Sequence, residues 1–349
     1  MPRIAAVATA TPPHLVQQRD AKRAARELFA PAIENIDRYL SVFDNSQIET
    51  RWLAAPLEWF AQPRDFGETN DLWIEVACAI GTEAARRCLA AARREAGDID
   101  HIIFVSTTGL AAPSLDARIM TLLGMHPHTR RTPIWGLGCA GGVAGLARAS
   151  DYARAYPDRR VLLVCVELCS ITFQSDDLSK RNLIAASLFG DGAAAVLVEG
   201  DALGGNGPEV IATESTLFPD SLDLMGWDVV NTGLRVVFGA GIPRVVTAHF
   251  HELATGFLGT NGLALEAIDH HIYHPGGAKV LAAYERAGNI LPDALDCSRA
   301  VLRDYGNMSS ATVLFVLAKF LERGIAPDEY GLLTVFGPGF SSEMALIRG

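Results

Sequence analysis

Apolar, often β-branched residues gather in short runs along this chain, and His101–Ser106, Val161–Val166, Ala193–Val198, His271–His274 and Leu332–Phe336 each read as a strand. Between them, Trp73–Ala96, Val143–Ala155 and Ala311–Arg323 place apolar residues at helical spacing. The alternation predicts an α/β protein whose sheets are covered by helices. The loosest stretch is the glycine-rich Gly200–Pro208, a natural seam between an N-terminal half, residues 1–200, and a C-terminal half, residues 209–349.

The two halves resemble each other. Asp98–Gly109, DIDHIIFVSTTG, reads against Ala267–Gly277, AIDHHIYHPGG, with Ile99 matching Ile268 at an offset of 169. Cys139 and Asn307 then each open a glycine or serine turn, a helix and an apolar strand, at an offset of 168. An ancient duplication follows, with Asn307 expected as the counterpart of Cys139.

At 349 residues and 49% apolar, the chain can bury a large core. Its net charge of −10 argues against a general affinity for nucleic acid or anionic membrane, though a local basic patch could still hold a phosphorylated small molecule. The opening MPRIAAVATATPPHL lacks a basic stretch ahead of an apolar core, and no apolar run approaches the roughly 20 residues that span a bilayer, so the expectation is a cytoplasmic protein without integral membrane contact. The six cysteines form no C-x-x-C pair, which speaks for reduced thiols rather than a zinc ribbon or a disulfide framework.

One of those thiols sits in a special place. In WGLGCAGGVAGLARA, Cys139 stands between glycines at the opening of a predicted helix, where free N–H groups and the helix dipole favour a thiolate. A free cysteine is more often a small buried hydrophobe, and the glycine context is what argues against that here. His274 ends a strand and precedes Pro275, Gly276 and Gly277, a strand-to-turn position common for chemical side chains. A metal is not expected: of His270, His271 and His274 at most two share a strand face, and no carboxylate stands at a supporting spacing. Asn307, in DYGNMSSATV, reads alone as a helix cap, and only its relation to Cys139 argues for more. A thiol, an imidazole and a carboxamide together can form a thioester and stabilise a developing oxyanion. Papain-like proteases use the same residue types, but their local cysteine signature is absent here.

Taken in order, IAAVATATP, VSTTGLAAPS, GLGCAGGVAGL, ELCSITF, SLFGDGAAA, YHPGG, YGNMSSA and VFGPGF resemble the chalcone-synthase-like type III polyketide synthases across nearly the whole chain. The resemblance implies a thiolase-like fold of two duplicated α/β halves in an αβαβα layered core. It further implies a homodimer that acts on malonyl-CoA and acyl-CoA with no metal or other cofactor. By it, Cys139 carries the starter and growing chain, while His274 and Asn307 bind the malonyl thioester carbonyl during decarboxylation. A ketoacyl synthase of the third class, making one condensation with an acyl carrier protein, is the near rival; YHPGG and VFGPGF favour the iterative group. A scaffold subunit would have lost its cysteine.

The same resemblance implies substrate-contacting roles for Phe189 as a gatekeeper ring, Thr107 and Thr172 as cavity walls, Ser309 beside Asn307, and Gly276 and Gly277 in the histidine turn. For Phe189 the bland role is core packing. Val236 stands where plant chalcone synthases carry a second phenylalanine, Ala112 where they carry a methionine reaching across the dimer, and Trp227 where they carry glycine. MGWDVV resembles bacterial alkylpyrone and alkylresorcinol synthases, so a medium- or long-chain fatty acyl starter is expected; the alternative within the family is a synthase that makes a small pyrone or phloroglucinol from short starters. Asn45 and Ser41 stand where the family has basic contacts to coenzyme A, with Arg38 and Arg51 as possible substitutes.

Overall fold

The computed structural model describes residues 1–239 and 241–349. Nine strands form one sheet in the order His270–Tyr273, Tyr330–Gly337, Ser341–Arg348, Glu209–Leu217, Arg3–Ala10, Asp191–Glu199, Arg160–Leu168, His101–Val105 and Arg130–Ile134. The first four belong to the C-terminal half and the last five to the N-terminal half. Both halves repeat one arrangement, in which the first strand of the half pairs antiparallel with its last, the last antiparallel with the strand just before it in the chain, and that strand parallel with the second; the N-terminal half adds Arg130–Ile134 at its edge. Among the described residues, the Arg3–Glu209 pair joins the two sets.

Alternation along each strand builds the layers. On the N-terminal strands, Ile103, Val105, Leu163, Cys165 and Val196 face a shared central core. Their neighbours Ile102, Phe104, Leu162, Val164 and Leu197 face the helices Phe66–Ala92 and Leu115–Leu123. On the C-terminal strands, Ile272, Leu333, Val335, Ala345 and Ile347 turn to that same central core. Tyr273, Leu332, Phe336, Met344 and Leu346 instead meet the helices Ile242–Thr260 and Ala278–Gly288. Between the two strand sets lie the helices Gly141–Ala155 and Thr312–Arg323, buried over most of their length. This is the αβαβα order.

The helix Gly141–Ala155 carries glycine where it makes its closest approaches. A Cβ on Gly145 would come within 2.6 Å of Leu163 Cδ1, and one on Gly142 within 2.3 Å of the Ser310 carbonyl oxygen. Glycine is therefore required for the start of one central helix to meet the start of the other.

The predicted strands and helices are all present, with ends displaced by a few residues. Four sheet strands escaped the sequence reading. Arg130–Ile134 is an edge strand carrying Pro133, and Glu209–Leu217 is half exposed, so neither shows a sustained apolar run.

The duplication is real, but its register at the chemical turn differs from the sequence expectation. The tight turn Gly138–Ala140 runs into one central helix, and Ser309–Ala311 into the other. Each opens on a left-handed residue, Gly138 at φ +47° and Ser309 at φ +48°. Ser310, not Asn307, is thus the counterpart of Cys139. The offset of 169 found near Ile99 does hold for the preceding turns, Ala96–Asp98 and Leu265–Ala267, so two residues separate the two registers.

Candidate active site

Cys139 lies in the turn Gly138–Ala140 and is 7% exposed. The turn is held by the Gly138 N–H, which donates to Thr107 Oγ1 at 3.0 Å. A Cβ on Gly138 would reach Pro338 Cγ at 2.7 Å, and φ is positive, so glycine is needed on both counts.

Asn307 arrives from the opposite half, just after the helix Asp296–Tyr305 ends at Gly306. Its backbone is clamped to the N-terminal half: its N–H donates to the Leu188 carbonyl at 2.9 Å, and its carbonyl accepts from Gly190 N–H at 3.0 Å. These bonds form an isolated parallel bridge between Asn307 and Phe189, which sets the Phe189 ring beside the same cavity. The carboxamide orientation follows from its partners. Oδ1 accepts the Ser309 N–H at 2.9 Å, so Nδ2 is the end that donates, here to the Gly276 carbonyl at 3.3 Å. Cys139 Sγ lies 4.0 Å from Oδ1.

His274 extends the strand His270–Tyr273 by one ladder bond, its N–H donating to the Thr334 carbonyl at 3.0 Å. Pro275 and Gly276 then turn the chain into the helix Ala278–Gly288. The imidazole is buried and neither ring nitrogen has a partner. Its neighbours on the strand are occupied elsewhere: His270 Nε2 meets Glu329 Oε2 at 2.8 Å, and His271 Nδ1 meets the Tyr273 hydroxyl at 2.9 Å. Among the described residues, no group of three or more His, Cys, Asp or Glu side chains is placed to hold a metal ion.

Burial dominates the electrostatics. It pushes the Cys139 thiol up to about 12, against hydrogen bonds from Ser309 and Asn307 that lower it and with the nearby Glu167 charge raising it further. Burial also drives the His274 imidazole down to about 3. Burial thus opposes the charged forms that the helix start and the imidazole favour. Moving one proton from Sγ to the ring would create two opposite charges in a dry space, where their attraction is strong.

Two cavities meet at this point. The first, of about 50 Å³, is bordered by Cys139, His274, Asn307, Ser309, Gly276 and Trp227, among others. The second, of about 120 Å³, is lined chiefly by apolar side chains including Ala25, Leu28, Phe29, Leu57 and Phe60, with Thr172 and Cys169 at its wall. Phe189 and Val236 border both, and the Phe189 ring stands 6.4 Å from that of Trp227. Thr107 is buried beneath the cysteine turn, while Ala112 is exposed and Gly277 adjoins Leu188; these three lie outside both walls.

Residues 2–202 match the family model for chalcone and stilbene synthases, N-terminal domain, and residues 209–349 match the model for the C-terminal domain. The chain belongs to the chalcone and stilbene synthase family. It is similar, at a TM-score of 0.95 and 32% identity over 99% of each chain, to the crystal structure of 1,3,6,8-tetrahydroxynaphthalene synthase from Streptomyces coelicolor, a bacterial type III polyketide synthase. It is 44% identical over 351 residues to 1,3,6,8-tetrahydroxynaphthalene synthase of Streptomyces peucetius, covering 99% of this chain and 92% of that one. It is 40% identical over 355 residues to a putative chalcone synthase of Bacillus subtilis, covering 98% and 97%. The chain is a type III polyketide synthase, an acyltransferase of thiolase-like fold that uses coenzyme A thioesters and requires no cofactor. Among the described residues no helix is long and apolar enough to cross a membrane.

Two features of this synthase were not legible beforehand. Arg51, considered as a contact to coenzyme A, is 3% exposed, and its guanidinium donates to the carbonyls of Ala186 and Phe189 at 2.6 and 2.8 Å. It braces the Phe189 segment and borders the second cavity, away from the outer surface, whereas Arg38 is exposed. Glu167, in the quoted ELCSITF, is fully buried and accepts from Ser310 Oγ at 2.6 Å, Thr108 Oγ1 at 3.0 Å and Thr107 N–H at 3.0 Å. It thereby ties the cysteine-supporting segment of one half to the serine turn of the other. A lone charged residue beside an apolar strand was the available signal.

Proposed function

We propose that this synthase loads a medium- or long-chain acyl group from coenzyme A onto Cys139, extends it repeatedly with malonyl-CoA, and closes the chain to an alkylpyrone or alkylresorcinol. The observation that carries the starter assignment is the apolar chamber beyond Phe189 and Val236. An alkyl tail gains hydrophobic burial along the mainly apolar wall of such a chamber.

In this reading His274 accepts the Cys139 proton, and the sulfur attacks the acyl thioester, releasing the coenzyme A thiol. Malonyl-CoA then places its thioester carbonyl against His274 and Asn307 Nδ2. Carbon dioxide leaves, the electron pair becomes an enolate held by these donors, and the enolate carbon attacks the Cys139 thioester to expel the sulfur. Donors preorganised in a water-poor cavity stabilise the enolate far better than water would. The β-ketoacyl product reloads on Cys139 for the next round. Val236 in place of a bulky ring leaves passage to the chamber, Trp227 and Phe189 narrow it, and Thr172, Ser309 and Gly276 complete the walls. We further assign a cytoplasmic homodimer, in which the exposed loop at Ala112 meets the partner.

The test is product analysis of the pure protein with malonyl-CoA and acyl-CoA starters of graded length, with Cys139→Ala as control. Long-chain tri- or tetraketide pyrones or resorcinols that vanish in the control support the reading. Products from malonyl-CoA alone, a single-condensation product, or a requirement for acyl carrier protein would overturn it.

A further inference from the structure

One hydroxyl group beside the Cys139 cavity has no explanation in packing. Tyr284, on the helix Ala278–Gly288, is fully buried, its ring set among Phe250 at 5.1 Å, Tyr273 at 5.0 Å and Phe336 at 6.2 Å between centroids. The contacts are those of the ring, and phenylalanine would make them equally well. The hydroxyl oxygen is sealed from solvent and has no hydrogen-bond partner. A buried polar group without a protein partner costs free energy, so its presence calls for a partner from outside the chain.

The cavity supplies the place for one. Tyr284 borders it together with Cys139, His274 and Asn307. The neighbouring wall of Ile242, Val246, Val280 and Phe336 offers no polar side chain, so an oxygen entering there has the Tyr284 hydroxyl to meet. Burial, with the nearby Cys139 adding to it, raises the phenol pKa well above its ordinary value, so the group stays a donor. An acyl starter bears one oxygen, at the thioester beside Asn307 and His274. Each condensation adds a ketone two carbons further along, and these are the oxygens that reach other parts of the wall.

We propose that the Tyr284 hydroxyl donates a hydrogen bond to a ketone oxygen of the poly-β-keto chain on Cys139, holding the extended intermediate against premature release. The inference rests on the reading that Cys139 carries the growing chain. It makes Tyr284 a determinant of extension, silent in loading.

The test is Tyr284→Phe, with Tyr284→Met as a second variant that also removes the hydroxyl. Acylation of Cys139 is read by intact-protein mass after mixing with an acyl-CoA, and product ratios are read with malonyl-CoA added. Loading at the wild-type rate, a melting temperature equal to or above wild type, and a rise of about two- to tenfold in the ratio of short, early-released products to full-length ones are expected, the size of one net hydrogen bond. Wild-type product ratios in both variants would overturn the proposal. So would a fall in melting temperature with slowed loading in Tyr284→Phe, since that marks a structural hydroxyl. Absence of any adduct on Cys139 in the wild type would instead defeat the Cys139 reading, and this inference with it.

Discussion

Asn307 stands between Cys139 and the histidine turn, with Oδ1 4.0 Å from Cys139 Sγ and Nδ2 donating to the Gly276 carbonyl at 3.3 Å. Because Ser309 N–H occupies Oδ1, the amide cannot flip without losing that bond, and the Nδ2 donor is fixed toward the cavity. Asn307→Ala is expected to lower malonyl-CoA decarboxylation by about 10²–10³-fold, as loss of an oxyanion donor does. Labelled carbon dioxide release measures it. Alkylation of Cys139 should persist, and an unchanged decarboxylation rate would remove Asn307 from the chemistry.

Burial of Cys139 and His274 gives a second expectation. Burial raises the thiol to about 12, so a Cys139 with no imidazole beside it stays protonated through neutral pH. In His274→Ala, the rate of Cys139 alkylation should keep climbing with pH and not level below about 12. The wild type, in which the ring can take the proton, should label at least about tenfold faster at pH 7. Equal rates at pH 7, followed by mass spectrometry, would show that His274 does not assist the thiolate.

Glu167 couples the site to stability. Its carboxyl is raised from 4.5 to about 7, chiefly by burial, against hydrogen bonds from Ser310, Thr107 and Thr108. A carboxyl that holds its proton more tightly folded than unfolded contributes stability at low pH. That contribution is lost as pH rises from about 4.5 to about 7, since the folded state binds more protons in that window. Glu167→Gln removes this dependence. The stability of the variant relative to wild type, from urea unfolding at pH 5 and pH 8, should therefore shift in favour of the variant at the higher pH. A difference independent of pH would mean that Glu167 is charged throughout.

The chamber is testable by filling it. Ala185, on the helix Lys180–Leu188, lines the apolar cavity but not the one around Cys139. Ala185→Phe is expected to shift the preferred starter toward shorter acyl-CoAs, with kcat/KM for a long chain falling by about tenfold or more, the scale on which an apolar pocket discriminates by size. Rates for short starters should change little. An unchanged chain-length profile would place the alkyl tail elsewhere.

Much of this protein was legible from local pattern. Buried strands such as Val161–Val166 and Ala193–Val198 declare themselves because a strand covered on both faces must be apolar throughout, and the repeat of strand, turn and helix exposed the duplication. The ordered motifs around Cys139, His274 and Asn307 were equally local. What the chain order could not convey was how the halves meet. The counterpart of Cys139 proved to be Ser310, because a register at a turn is set by backbone geometry at Gly138 and Ser309 and not by residue likeness. Arg51 looked like a surface cation until carbonyls more than a hundred positions away were seen to accept from it. Nothing in the sequence around Tyr284 sets its hydroxyl apart. Burial, partnership and the absence of a partner are properties of the surroundings in space, and most contacts that decide them join segments far apart in the chain, so only the tertiary structure could assign them.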